Sequence, residues 1–174
     1  MICIFGDSNV AGWKPNAMAL YPKAKIWTNI LQTKISSKIV SDGQPGRFAT
    51  KSLELYKQII TIQPKICILL IGLNDLREIL YSDVILAINL FFDASYNAKN
   101  YFIIHPGIEY QKLGGFWDCF KDTQENERLF RKNIDQINAE LIDLKDLNIL
   151  GDDGIHFSEE GHQILADLVH EKVK

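Results

Sequence analysis

Two segments at opposite ends of the chain hold the residue types of nucleophilic acyl transfer. Gly6-Asp7-Ser8-Asn9 offers the Ser8 hydroxyl, and Asp153-Gly154-Ile155-His156 offers a carboxylate three residues before an imidazole. A serine hydroxyl is a weak nucleophile until a base takes its proton, and the usual base is a histidine oriented by a carboxylate. A tight turn at Gly154 would let Asp153 accept from the ring of His156. The reaction also needs donors for the oxyanion that develops on the carbonyl, commonly backbone N–H groups and a side-chain amide. Gly72-Leu73-Asn74-Asp75 offers the Asn74 amide, Asp42-Gly43-Gln44-Pro45-Gly46-Arg47 offers the unobstructed N–H of Gly46, and Ser8 adds its own N–H.

Residues so far apart in sequence need a scaffold that returns the chain repeatedly to one edge. Short, continuous apolar runs, Ile2–Phe5, Lys38–Val40, Ile66–Ile71 and Tyr101–Ile104, predict strands covered on both faces, and Asn148–Leu150 predicts a fifth. Between them, three- and four-residue apolar spacing predicts helices over Trp27–Ile35, Ser52–Ile62, Val84–Phe92 and Asn126–Leu144. A terminal helix follows over Ser158–Val173, with Ser158 as N-cap. This alternation implies an α/β fold with a parallel sheet between helical layers, in which ligands bind beyond the carboxyl ends of the strands. The segments that could do chemistry each follow a strand, on that edge. Pro106–Asp122, rich in glycine and aromatics, is long for a connection and is a candidate lid or binding loop.

The turns Gly6-Asp7-Ser8, Gly46, Gly72-Leu73-Asn74-Asp75 and Asp153-Gly154-Ile155-His156 resemble, in order, the four signature blocks of the SGNH (GDSL-like) hydrolases. The similarity runs from the first strand to the terminal helix, and no GxSxG elbow is present. The resemblance implies a flavodoxin-like, five-stranded parallel sheet in a three-layer α/β/α fold. It also implies Ser8 as nucleophile, His156 as base and then acid, Asp153 as its orienter, and Ser8, Gly46 and Asn74 as the oxyanion hole. No metal or cofactor is implied. The chain departs from the family pattern at Asn9 and Val10 and at Arg47-Phe48-Ala49, changes expected to reshape the acyl pocket rather than remove a catalytic group.

The same residues have plainer readings. Ser8 by itself is a turn serine or helix cap, and His156 by itself a surface histidine. Asp7 and Asp75 are read as turn-holding supports, and Asp152 is the competitor that the family spacing sets aside in favour of Asp153. His105, ending a strand, is a pocket-wall residue and the best substitute base; His162 and His170 are structural or solvated. Asn9, Leu73, His105 and Trp117 are the candidate substrate contacts. Trp13, Trp27 and Phe116 are core aromatics or acyl-site walls, and the Glu125–Arg131 charge run is a solvated helix face.

At 174 residues and 47% apolar, residues 1–174 suffice for a single domain with one substantial core. The net charge of -3 excludes the broad positive field that nucleic acid or an anionic membrane attracts. No apolar stretch approaches a membrane span, and none resembles a signal peptide, so a cytoplasmic location is expected. Cys3, Cys67 and Cys119 form no CxxC pair, which fits a reducing compartment. The expected partner is a small-molecule ester, with a short-chain or acetyl group preferred; oligomeric state is left open. Two other readings share these residues. An acyltransferase would pass the acyl group to an alcohol, which product analysis with alcohol acceptors detects. A non-catalytic binding module would use only the cleft and would resist a serine-reactive phosphonate.

Overall fold

The apolar runs form a sheet because each buries both of its faces. In a computed structural model, which describes Met1–Lys174, five parallel strands lie in the order β4-β1-β5-β6-β7. They are β1 (Ile2–Gly6), β4 (Ile39–Gly43), β5 (Ile66–Leu70), β6 (Lys99–Ile104) and β7 (Glu140–Asp143); β2 (Trp13–Lys14) and β3 (Ala19–Leu20) pair as a separate small hairpin. Successive side chains divide between two cores, as the two-residue strand period requires. Cys3, Phe5, Cys67, Leu69, Phe102 and Ile104 face α3 (Leu53–Ile62), α4 (Tyr81–Ala94) and α5 (Gln124–Lys132). Ile2, Ile4, Ile68, Leu70, Tyr101 and Ile103 face α2 (Trp27–Lys34) and α6 (Glu159–Val173). The result is the expected three-layer, flavodoxin-like α/β/α fold, and each fully buried Phe or Ile in it contributes roughly 2 kcal/mol.

The strand order places a switch point at β1. The chain leaves β1 to form β4 on one side and then crosses to β5 on the other, which opens a crevice above their carboxyl ends. A four-residue helix, α1 (Ser8–Ala11), starts directly at the end of β1.

Two expected elements differ. The fifth strand is β7 (Glu140–Asp143), not Asn148–Leu150, which makes only a single antiparallel bridge from Leu150 to Phe157. The helix expected over Asn126–Leu144 is α5, and it stops at Lys132. Past it, Asn89 on α4 donates to the Gln136 carbonyl and accepts from the Asn138 N–H, fixing a turn. Leu141 and Ile142 then point into opposite cores, which a strand permits and a single helix face does not. The terminal helix begins as expected, with Ser158 Oγ accepting from the Gly161 N–H at 2.9 Å. Pro106–Asp122 is a partly ordered segment, anchored by buried Ile108 and Phe120 and otherwise largely exposed. It contains 3-10 turns at Tyr110–Lys112 and Gly115–Thr123 and builds a small core of Ile108, Phe120 and Ile155. No helix is long and apolar enough to cross a membrane.

Candidate active site

Ser8 sits where β1 becomes α1. Asp7 caps this turn, its Oδ1 accepting from the Asn9 N–H at 3.0 Å, so the Ser8 side chain is presented at the strand end and stays only 7% exposed. His156 arrives from the other end of the chain, with its Nε2 3.0 Å from Ser8 Oγ. Its Nδ1 lies 2.7 Å from Asp153 Oδ2. The other oxygen of Asp153 accepts from the backbone N–H groups of Ile155 (3.0 Å) and His156 (2.9 Å). Gly154 makes this turn possible, because its φ of 71° is left-handed and a Cβ there would lie 2.7 Å from the Glu109 carbonyl oxygen.

Burial alone would raise the Asp153 pKa. The ring hydrogen bond and charge of His156, with the two backbone donors, outweigh it and hold the carboxyl below its ordinary value. An ionised Asp153 requires Nδ1 of His156 to carry the proton, which leaves Nε2 free to accept from Ser8. Asp7 shows the opposite balance: burial exceeds the help of the Asn9 N–H and of the His156 charge and pushes it up to about 6.

The donors expected for an oxyanion meet at the same place. Gly46 has a φ of 74° and its N–H enters no backbone hydrogen bond. Asn74 spends one amide hydrogen on the Arg47 carbonyl at 3.2 Å, which ties its turn to the Gly46 loop and leaves a second hydrogen. Asp75 reinforces that tie, its carboxylate accepting from the N–H groups of Ala49 (2.8 Å) and Thr50 (3.0 Å) and the Thr50 hydroxyl (2.8 Å).

Ser8, Gly46, Asn74 and His156 line one cleft of about 220 Å³, walled by Trp13, Met18 and Pro45 and by Leu73, Phe116, Trp117 and Phe120. Trp117 stands against the imidazole, with ring centroids 4.7 Å apart. Two expected substrate contacts fall elsewhere. Asn9 turns inward to stitch the ends of the chain together: its Oδ1 accepts from the Phe157 N–H (3.0 Å) and its Nδ2 donates to the Ile155 carbonyl (3.4 Å). His105 lies behind the cleft, Nε2 bound to the Ile155 carbonyl at 2.7 Å and Nδ1 accepting from the Gly107 N–H at 3.2 Å. Burial lowers its pKa to about 4, so it is a neutral brace for the His156 loop and too weak a base to substitute for His156.

Trp27 is fully buried core, its indole N–H donating to the Asn9 carbonyl at 3.2 Å. Asp152 is exposed, whereas Asp153 is buried against His156. No group of three or more His, Cys, Asp or Glu is arranged to hold a metal ion. Sequence reasoning missed Met18, Pro45 and Arg77 in the lining, whereas Phe120 belongs to the candidate binding loop Pro106–Asp122. Arg77 carried the best available signal, standing two residues beyond Asp75 in a post-strand turn.

No known family profile and no curated protein matches the sequence. Solved structures do resemble it. They include an aryl esterase of M. smegmatis, at 19% identity and a TM-score of 0.74 over 99% of this chain and 97% of that one. A carbohydrate acetylesterase family member from Sinorhizobium meliloti gives 14% identity and a TM-score of 0.77 over 99% and 96%. A lipase/acylhydrolase from Enterococcus faecalis gives 20% identity and 0.73 over 99% and 94%. The architecture of this chain is therefore the SGNH hydrolase fold.

Proposed function

We propose that the chain is a serine ester hydrolase of the SGNH family, with Ser8, His156 and Asp153 as its catalytic triad. The observation that carries this reading is the continuous relay from Asp153 through His156 to Ser8, opening into a cleft that also holds the Gly46 N–H and the Asn74 amide. His156 Nε2 takes the proton as Ser8 Oγ attacks the ester carbonyl carbon. Ser8 N–H, Gly46 N–H and Asn74 Nδ2 donate to the oxyanion. The carbon–oxygen bond to the alcohol then breaks, and His156 returns the proton to the departing oxygen. Water, deprotonated by the same ring, attacks the acyl-enzyme and releases the acid and Ser8.

A cleft of about 220 Å³ is smaller than the roughly 300–1,000 Å³ of pockets for drug-sized ligands, which supports short-chain or acetyl esters. The test is hydrolysis of a short-chain nitrophenyl ester together with labelling by a fluorophosphonate. Mass spectrometry should find one phosphonyl group, on Ser8. Hydrolysis by an enzyme that takes no label there would overturn the serine mechanism.

Asn74→Ala should lower kcat by about 100- to 1000-fold, or roughly 3 kcal/mol of transition-state stabilisation. KM should change little, because the amide is needed most where charge develops. Steady-state kinetics at matched Tm checks this, and unchanged turnover would remove Asn74 from the scheme.

A further inference from the structure

The cleft holds one cation that the acyl-transfer scheme does not use. Arg77 lines it together with Ser8, Gly46, Asn74 and His156. Its guanidinium lies 5.0 Å from the centroid of the Phe120 ring, also part of the lining. Arg77 is exposed at the rim, and its side chain makes no ion pair and no hydrogen bond within the protein, which leaves its five donors open to a ligand. The acidic residue beside it, Glu78, is taken by Lys51 at 2.6 Å. Asp83 and Asp122 border a separate groove with Arg77, without reaching ion-pair distance. The cation–π contact with Phe120 restrains the Arg77 side chain and so reduces the entropy lost when it grips a partner.

We propose that Arg77 is a specificity-determining residue that binds a carboxylate on the substrate, so that the preferred esters carry a negative charge; this rests on the ester-hydrolase reading above. A carboxylate fits better than a phosphate dianion because Arg77 is the only Lys or Arg in the lining. The nearby Arg47 is spent on Asp42 (2.8 Å) and on the carbonyls of Gly6 and Asp42. Asp7, the acidic residue in the lining, lies at the nucleophile turn with one oxygen held by the Asn9 N–H. A bidentate guanidinium–carboxylate pair at the open mouth of a cleft, partly screened by water, is worth about tenfold in preference.

The experiment compares esters of matched shape. On the acyl side, the mono-4-nitrophenyl ester of succinic acid is set against 4-nitrophenyl 4-methylpentanoate. On the alcohol side, the acetate of 3-hydroxybenzoate is set against the acetate of 3-isopropylphenol. In at least one pair the wild type should favour the anionic ester in kcat/KM, after correction for uncatalysed reactivity. Arg77→Gln should reduce that preference about tenfold, chiefly through KM, and Arg77→Lys should restore part of it. Whichever pair responds tells which part of the substrate the cation faces. A preference identical in wild type and Arg77→Gln for both pairs would overturn the proposal.

If the wild type hydrolyses none of these esters, the ester-hydrolase reading fails. Arg77 is then judged by benzoate and benzamide titrations followed through tryptophan fluorescence, since Trp13 and Trp117 line the cleft. Benzoate affinity about tenfold weaker in Arg77→Gln, with benzamide unaffected, would support an anion site without esterase activity. Equal benzoate affinity in the two proteins would sink it.

Discussion

Ser8→Ala is expected to lower kcat for a short-chain nitrophenyl ester by about five to six orders of magnitude. The hydroxyl that reaches His156 Nε2, at 3.0 Å, is that of Ser8, and alanine leaves the imidazole nothing to activate but water. The remaining donors should still give some acceleration, so activity falls towards a floor rather than to zero. The fold should survive. The turn around position 8 is held by Asp7 on the Asn9 N–H and by the Asn9 side chain on Ile155 and Phe157, none of which involves the serine oxygen. Loss of one hydrogen bond, at about 1 kcal/mol, moves Tm by only a few degrees. His156→Ala should cost nearly as much, and the double variant little more, because the two residues act as a unit. Calorimetry and kinetics on the same preparations separate chemistry from folding. A well-folded Ser8→Ala enzyme with wild-type turnover would end the serine-hydrolase reading.

What was legible in the sequence follows from how local each signal is. β1, β5 and β6 announce themselves because a strand covered on both faces is an unbroken apolar run, as in Ile66–Leu70. The turns after β1, β4 and β5 were legible for a related reason, since each packs its chemistry-bearing residues into a few positions beside a strand end. β7 was hidden because Leu141 and Leu144 continue the three- and four-residue apolar spacing of the helix before it. The turn that ends that spacing is imposed by Asn89, 47 residues upstream of Gln136. The cleft walls were hardest to read. Trp13, read from sequence as either core or acyl-site wall, and Met18 join the lining through a hairpin of two-residue strands, too short for any alternation to show. Asn9 misled for the converse reason: a polar residue beside a nucleophile suggests a ligand contact, and its true partners, Ile155 and Phe157, lie about as far along the chain as His156 does.

Asp153→Asn should lower kcat by about 10⁴-fold with little change in KM, a larger loss than the removal of a neutral hydrogen bond would cause. The direction of the effect is set by the backbone. Asp153 Oδ1 accepts from two N–H groups, those of Ile155 and His156, so the carbonyl oxygen of an asparagine must occupy that position. Its NH₂ is then forced to the place of Oδ2, 2.7 Å from His156 Nδ1, where it can only donate. The imidazole must answer by carrying its proton on Nε2, pointing it at Ser8 and losing the lone pair that serves as base. Asp152→Asn supplies the control: that side chain is exposed, and turnover should be unchanged. Stability adds an independent check. Because the folded state holds the Asp153 pKa below its ordinary value, ionised Asp153 contributes stability that is present above the unfolded pKa of about 3.8 and is lost as pH falls through the folded value. The Tm gap between wild type and Asp153→Asn should therefore be open at neutral pH and narrow in acid. A gap that widens in acid, or an Asp153→Asn enzyme slowed less than tenfold, would mean that His156 takes its orientation from something other than this carboxylate.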